Sequence, residues 1–185
     1  MDCIGTKRMI WTHRFAHHNE LKSALLKSIE HSKGKEYVKG KDQIGKTDYY
    51  EGLDLHEKHY LTLFHSNLTE FYHELHEHYA LGDFSLYNGW YQQYYESDTH
   101  GWHAHGLSNF SMVYYLEMPE PHVTEFWIPH VKERYTPEAQ EGDIVVFPAH
   151  FPHRSPPIQG DTRKTIISVN YNIHTIDSKF IEDGK

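Results

Sequence analysis

From Asp83 onward no stretch is long enough, or periodic enough, for a helix. Apolar residues come in short runs rich in β-branched and aromatic types, and each run is closed by glycine or proline. Strands are predicted near 84–88, 90–95, 102–106, 109–117, 123–128, 143–148, 151–155 and 163–173. Breaks fall at Gly89, Gly101, Gly106, Pro119, Pro121, Pro129, Gly142, Pro156, Pro157 and Gly160. That many short strands joined by turns can bury their faces only by closing on one another, as a sandwich or jelly roll.

The first 82 residues read differently. Asn19 can cap a helix carrying Leu21, Leu25 and Ile29, stopped by Gly34. Residues 34–52 are rich in Gly and Lys, show no period, and read as a loop that could cover a site. Asp54 and Glu57 resemble a capping box. Beyond them Tyr60, Phe64, Leu68, Phe71, Leu75 and Tyr79 form one apolar stripe ending at Gly82. The expectation is a single α+β domain over 1–185: a helical region at 1–82, a β core at 83–175 and a tail at 176–185.

The chain has 185 residues, enough for one core. With 14 Tyr, 9 Phe and 4 Trp, it is not the composition of a disordered chain. A net charge of −8 argues against nucleic acid or an anionic membrane as partner. No apolar run approaches a membrane span, and Met1 to Met9 lacks the apolar core of a signal peptide. The single Cys3 excludes an intrachain disulfide and fits a reducing compartment, so a cytoplasmic protein is expected.

There are 18 histidines, most of which must be surface residues, and spacing has to select among them. His73 and His76 could share a metal on a helix, but a solvated face is the simpler reading. His103 and His105 form His-Ala-His in a predicted strand, where residues two apart share a face and can chelate one ion. His153 ends the run Phe147-Pro-Ala-His-Phe-Pro-His153, at a strand terminus. Ten residues on, past Pro156, Pro157, Gly160 and Asp161, comes Arg163, with Thr165 on the same face. A guanidinium beside a hydroxyl is a receptor for a carboxylate.

These motifs resemble the iron(II)- and 2-oxoglutarate-dependent dioxygenases. The likeness is to their prolyl-hydroxylase-like branch, and to a small group of bacterial and phage oxygenases with His-x-His. The text that carries it is Tyr94-Tyr-Glu-Ser-Asp-Thr-His-Gly-Trp-His103-Ala-His105, Tyr115-Leu116, Gly142-Asp143 through His153, Arg163 and Ile-Ser-Val-Asn170, so it spans roughly 86–172. The resemblance implies a double-stranded β-helix. It implies Fe(II) on His103, His105 and His153, 2-oxoglutarate held by Arg163, Thr165 and Tyr94, and O2 as oxidant for C–H hydroxylation with release of succinate and CO2.

One position departs from the family pattern, because His105 stands where the usual triad has Asp. Either His105 ligates, or water or another carboxylate such as Asp98 or Glu125 completes the shell, or the iron chemistry is lost. The rivals are a cupin-like three-His iron or zinc enzyme that does not use 2-oxoglutarate, and a jelly-roll binding module without catalysis. Both a peptidyl side chain and a small metabolite fit as primary substrate.

Overall fold

The computed structural model describes residues 9–51 and 58–179. Cys3, His56 and the Asp54/Glu57 box lie outside the described residues. Two antiparallel sheets face each other. The larger is built from β1 (Trp11–Arg14), β2 (Lys35–Lys39), β3 (Asp42–Thr47), β4 (Phe84–Tyr94), β6 (Phe110–Glu117), β9 (Asp143–Pro148) and β11 (Lys164–Ile173), in the order β1-β9-β6-β11-β4-β3-β2. The smaller contains β5 (His100–His103), β7 (Glu125–Ile128), β8 (Glu133–Tyr135) and β10 (His153–Ser155), in the order β5-β10-β7-β8. This is a double-stranded β-helix, the form of jelly roll that the resemblance implies and that agrees with the turn spacing.

The large sheet is covered on both faces, which explains why β6 and β9 are apolar almost throughout. Alternate residues serve two cores. Met112, Tyr114, Ile144, Val146, Ile167 and Val169 point outward, where Leu25, Ile29, Tyr60, Phe64, Phe71 and Leu75 of the helices cover them. Val113, Tyr115, Val145, Phe147 and Ile166 point inward against Phe126 and Ile128 of the small sheet. Three helices form the covering layer: α1 (His18–His31), α2 (His59–His65) and α3 (Thr69–Tyr79).

The helix read across 54–82 is broken at Ser66–Leu68. Ser66 Oγ donates to the carbonyls of Thr62 and Leu63, and Asn67 Nδ2 donates to Leu63, while Asn67 N–H turns to Phe64, so side chains take over the Leu63 carbonyl. The apolar stripe survives the break, since Tyr60, Phe64, Leu68, Phe71 and Leu75 are all buried. The strands predicted at 84–88 and 90–95 are one strand. Gly89 lies inside it because Leu61 of α2 packs against that point, and a Cβ there would stand 3.0 Å from Leu61 Cδ1.

The segment read as a loop over 34–52 is not one across its described part, 34–51. It forms the β2–β3 hairpin and a 3₁₀ turn at Tyr49–Glu51. Its strands are short and largely exposed, so they carry almost no alternating pattern. What holds them is long-range: β3 pairs with β4 at Lys46↔Gln93, Gln43 bridges Thr99, and Asp42 Oδ1 accepts Gly101 N–H at 2.9 Å. The hairpin therefore spans from the large sheet to the small one. The region expected to be helical also gives the sheet β1.

A buried ion pair ties the hairpin to the helical layer. Asp48 accepts Tyr91 N–H at 2.9 Å and Tyr60 O–H at 2.6 Å, and lies 3.3 Å from Lys58 Nζ. Lys58 also donates to the carbonyls of Asp48 and Gly89. Replacing Asp48 by alanine strands a buried ammonium. It is expected to cost about 3–5 kcal/mol, read as a lower urea midpoint at unchanged m-value.

Candidate metal centre

The site is assembled from β5, β10 and the connection between β5 and β6. His103 and His153 are direct cross-strand partners, with ring centroids 4.3 Å apart. β5 ends at His103, yet His105 still turns toward the same point, because its backbone N–H donates to the Ala149 carbonyl at 2.8 Å. One ring nitrogen from each of His103, His105 and His153 lies within 4.8 Å of the others.

Hydrogen bonds fix which nitrogen converges. His103 Nδ1–H donates to the Gly101 carbonyl at 2.7 Å, and His153 Nδ1–H to Phe151 at 2.8 Å. His105 Nδ1 lies 2.8 Å from Asn170 Oδ1 and 2.8 Å from Ser111 Oγ, and Ser111 donates to the same Asn170 oxygen at 2.6 Å. With Nδ1 committed to acceptors, each Nε2 carries the free lone pair. Burial disfavours the imidazolium form and pulls all three below the usual histidine range, His153 furthest. Three neutral imidazoles with converging lone pairs fit a divalent transition metal.

The carboxylates considered as substitutes are committed elsewhere. Asp98 Oδ2 accepts Gly45 and Tyr95 N–H, each at 2.9 Å. Glu125 is paired with Arg154 at 2.7–2.8 Å. His73 lies 3.9 Å from Glu77 and His76 3.2 Å from Asp177, and neither belongs to a group of three or more potential metal ligands among the described residues.

Beyond the histidines lies a narrow inner cavity of about 30 Å³ lined by Tyr94, Thr124, Ser155 and Ser168, among others. Tyr94, expected near a co-substrate, is there. Arg163 and Thr165 are not. They lie on the helix-side face of β11, where Glu117 takes Arg163 Nε at 2.7 Å, Arg163 Nη2 at 3.2 Å and Thr165 Oγ1 at 2.9 Å. The physical reason is strand parity. Lys164 pairs with Tyr94, so Lys164, Ile166, Ser168 and Asn170 face inward and their odd-numbered neighbours face out.

Lys164 is the group that reading by spacing missed. It is 1% exposed, donates to the His122 carbonyl at 2.6 Å and Ser155 Oγ at 3.0 Å, and sits over the rings of Tyr94 and Tyr115. Among the described residues no carboxylate pairs with it, and burial lowers its pKa to about 7. The signal was present: Lys164 shares parity with Ser168 and Asn170, whereas Arg163 shares parity with the apolar Ile167, Val169 and Tyr171.

An outer cleft of about 260 Å³ adjoins the inner cavity, sharing Trp90, Gln92, His100, His103 and His105 with it. Tyr37, Tyr49 and Tyr50 of the hairpin segment and Trp90 of β4 wall it, and His100 stacks on His103 at 3.8 Å. Trp90 packs edge-on to His105 at 5.8 Å. These hairpin aromatics were also unassigned in the sequence, because nothing local to 34–52 brings them to residue 105.

No family model and no curated protein matches the chain. Solved structures do. An oxidoreductase of the 2OG-Fe(II) oxygenase family from Burkholderia pseudomallei superposes with a TM-score of 0.71 at 13% identity, over 91% of this chain and 87% of that one. A prolyl-4-hydroxylase from Pseudomonas putida gives 0.62 at 13%, over 90% and 94%. A Trichoplax adhaerens prolyl hydroxylase, in complex with a hypoxia inducible factor peptide fragment, gives 0.63 at 11%, over 96% and 88%. The chain has the fold of these oxygenases.

The geometry sets a test of the ligand set. Metal titration is expected to give one divalent ion per chain. His153→Ala should abolish binding and His105→Ala should weaken it sharply, while Asp98→Asn and Glu125→Gln leave the affinity within about threefold. Asn170→Leu removes the acceptor that orients His105 and is expected to weaken binding about 10- to 100-fold.

Proposed function

We propose that this protein is an Fe(II)- and 2-oxoglutarate-dependent oxygenase that hydroxylates a C–H bond. His103, His105 and His153 would hold the iron, and Lys164, rather than Arg163, would receive the far carboxylate of 2-oxoglutarate. The observation that carries the reading is the buried ammonium of Lys164, which meets no carboxylate among the described residues and bonds Ser155, a residue that lines the inner cavity beside the three histidines. Burying a charge without an opposite partner is costly, so the site is built for an anion that arrives. The oxygenase fold of the solved structures supports the same reading. A three-His cupin chemistry without the keto acid gives Lys164 no role.

Bound iron supplies oxygen activation coupled to oxidative decarboxylation of the keto acid to succinate and CO2. The protein's own residues do the rest. Lys164 anchors the carboxylate, with the Ser155 hydroxyl and the Tyr94 phenol beside it. Phe147 packs on His153 at 4.7 Å and Trp90 on His105, keeping bulk water from the ring nitrogens. The outer cleft presents the primary substrate to the histidines. The inner cavity is tight, so side chains along it move aside when the diacid enters.

The test is calorimetric titration of the anaerobic Mn(II) protein with 2-oxoglutarate. Lys164→Met is expected to raise Kd about 30-fold to several thousand-fold, with metal affinity unchanged. Arg163→Ala, whose guanidinium is spent on Glu117, should change Kd less than about threefold. The reverse order would overturn the assignment.

The pH dependence has a definite sign. Lys164 must be charged to bind the dianion, and its pKa in the free protein is about 7. Affinity for 2-oxoglutarate is therefore expected to be greatest below pH 7 and to fall by up to about tenfold per unit above it. In Lys164→Met this pH dependence should disappear.

A further inference from the structure

The charge of the chain is unevenly placed. Residues 33–46 hold five lysines and two carboxylates, a net +3 in a chain of −8, which leaves −11 for the remainder. This basic segment is the β2–β3 hairpin that walls the outer cleft. The cleft itself has no Asp, Glu, Lys or Arg among its lining residues. Tyr37 stacks on Tyr50 at 6.1 Å, and Tyr49 meets Trp90 edge-on at 5.0 Å, so its walls are neutral aromatic rings.

The lysines sit where they can act on something lying across that cleft. Lys35 and Lys39 share Tyr37's face of β2 by the period of two. Lys35 is 79% exposed, and its contact with Glu51 is a loose 3.6 Å. Lys39 and Lys41 are exposed at the hairpin tip, on either side of Gly40, whose φ of +65° makes the turn. Of the hairpin's two carboxylates, Asp42 is turned inward onto Gly101, and Glu36 stands on the opposite face of β2 from Lys35 and Lys39, where Gln43 Nε2 donates to it at 3.4 Å. β2 is also the last strand of its sheet, and its outer edge pairs with no described strand.

We propose that the β2–β3 hairpin docks an acidic polypeptide segment, from which one uncharged side chain enters the aromatic cleft. The inference rests on the reading that the outer cleft receives the primary substrate. Four residues of strand separate Lys35 from Lys39 by about 13 Å, which suits charges along an extended chain and exceeds the size of a small anion. The free edge of β2 offers such a chain backbone hydrogen bonds. Nucleic acid has a far denser charge than a few lysines spaced along one hairpin can match.

The experiment is fluorescence anisotropy with the Mn(II)- and 2-oxoglutarate-loaded protein. The probes are a fluorescein-labelled peptide with glutamates on both sides of a central leucine, its lysine counterpart, and a single-stranded oligothymidylate. The acidic probe is expected to bind best, and more weakly as salt rises from about 50 to about 300 mM. The triple variant Lys35→Glu, Lys39→Glu, Lys41→Glu should raise its Kd at least about tenfold, and the corresponding triple glutamine variant should fall between. The glutamine set carries the test if the charge-reversed protein does not fold.

Equal binding of the two peptides, unchanged affinity in the triple variants, or tighter binding of the oligonucleotide would each overturn the proposal. The 2-oxoglutarate isotherm of the wild type separates the two readings. A normal isotherm without peptide binding overturns the docking surface alone. Peptide binding to the Mn(II) protein without a 2-oxoglutarate isotherm overturns the proposed reaction alone.

Discussion

The pairing of β11 with β4 and β6 is the constraint on which the rest of the structure depends. β11 is the middle strand of the large sheet, and ten of its positions are fixed by β4 alone. That register decides that Lys164 lies opposite Tyr94 and that Asn170 reaches His105. A slip of one residue would turn Lys164 out to the helices and Arg163 into the barrel, together with Ile167 and Val169. The burial of Ile167 and Val169 under the helical layer resists that slip, so apolar packing on one side of the strand specifies polar placement on the other.

The second determinant is the way the histidines are held. Each Nδ1 is tied to a partner through a short hydrogen bond: a carbonyl two residues back for His103 and His153, and Asn170 with Ser111 for His105. The first two bonds are local and come with the strand. The third crosses 65 residues of sequence and depends on β11 being in register. The position that departs from the usual carboxylate is thus the one whose orientation is set by the sheet as a whole.

The β core was legible because its turns are written in glycine and proline, and because both faces of β6 and β9 are apolar or nearly so. His103, His105 and His153 were legible because two of them are two apart and the third ends a Pro-flanked run. Arg163 illustrates what counting cannot see. A count across the turn at 156–162 gives distance along the chain, whereas the direction of a side chain is set by pairing with a strand about 70 residues earlier. The hairpin was illegible for a related reason. Its anchors, Asp42 to Gly101 and Asp48 to Tyr91 and Tyr60, are contacts between distant segments, and its exposed strands have little apolar pattern to display. The break at Ser66 was readable in principle, since Ser-Asn is a poor helix interior, but the apolar stripe runs straight through it.

The two faces of the large sheet have different consequences for how such a chain can change over generations. Outward residues such as Tyr114, Ile167 and Val169 are under a packing constraint, and a substitution there is paid in stability. Inward residues such as Lys164, Ser168 and Asn170 stand on the site side of the sheet, away from the helical layer. Substitutions whose side chains share no partners couple weakly, and alternate residues of a strand point to opposite faces. A lineage can therefore retune what the barrel binds by exchanging alternate residues of a strand, while the intervening ones keep the sheet folded. Selection for a new ligand and selection for a stable fold then act on interleaved positions of a single segment, and neither has to wait for the other.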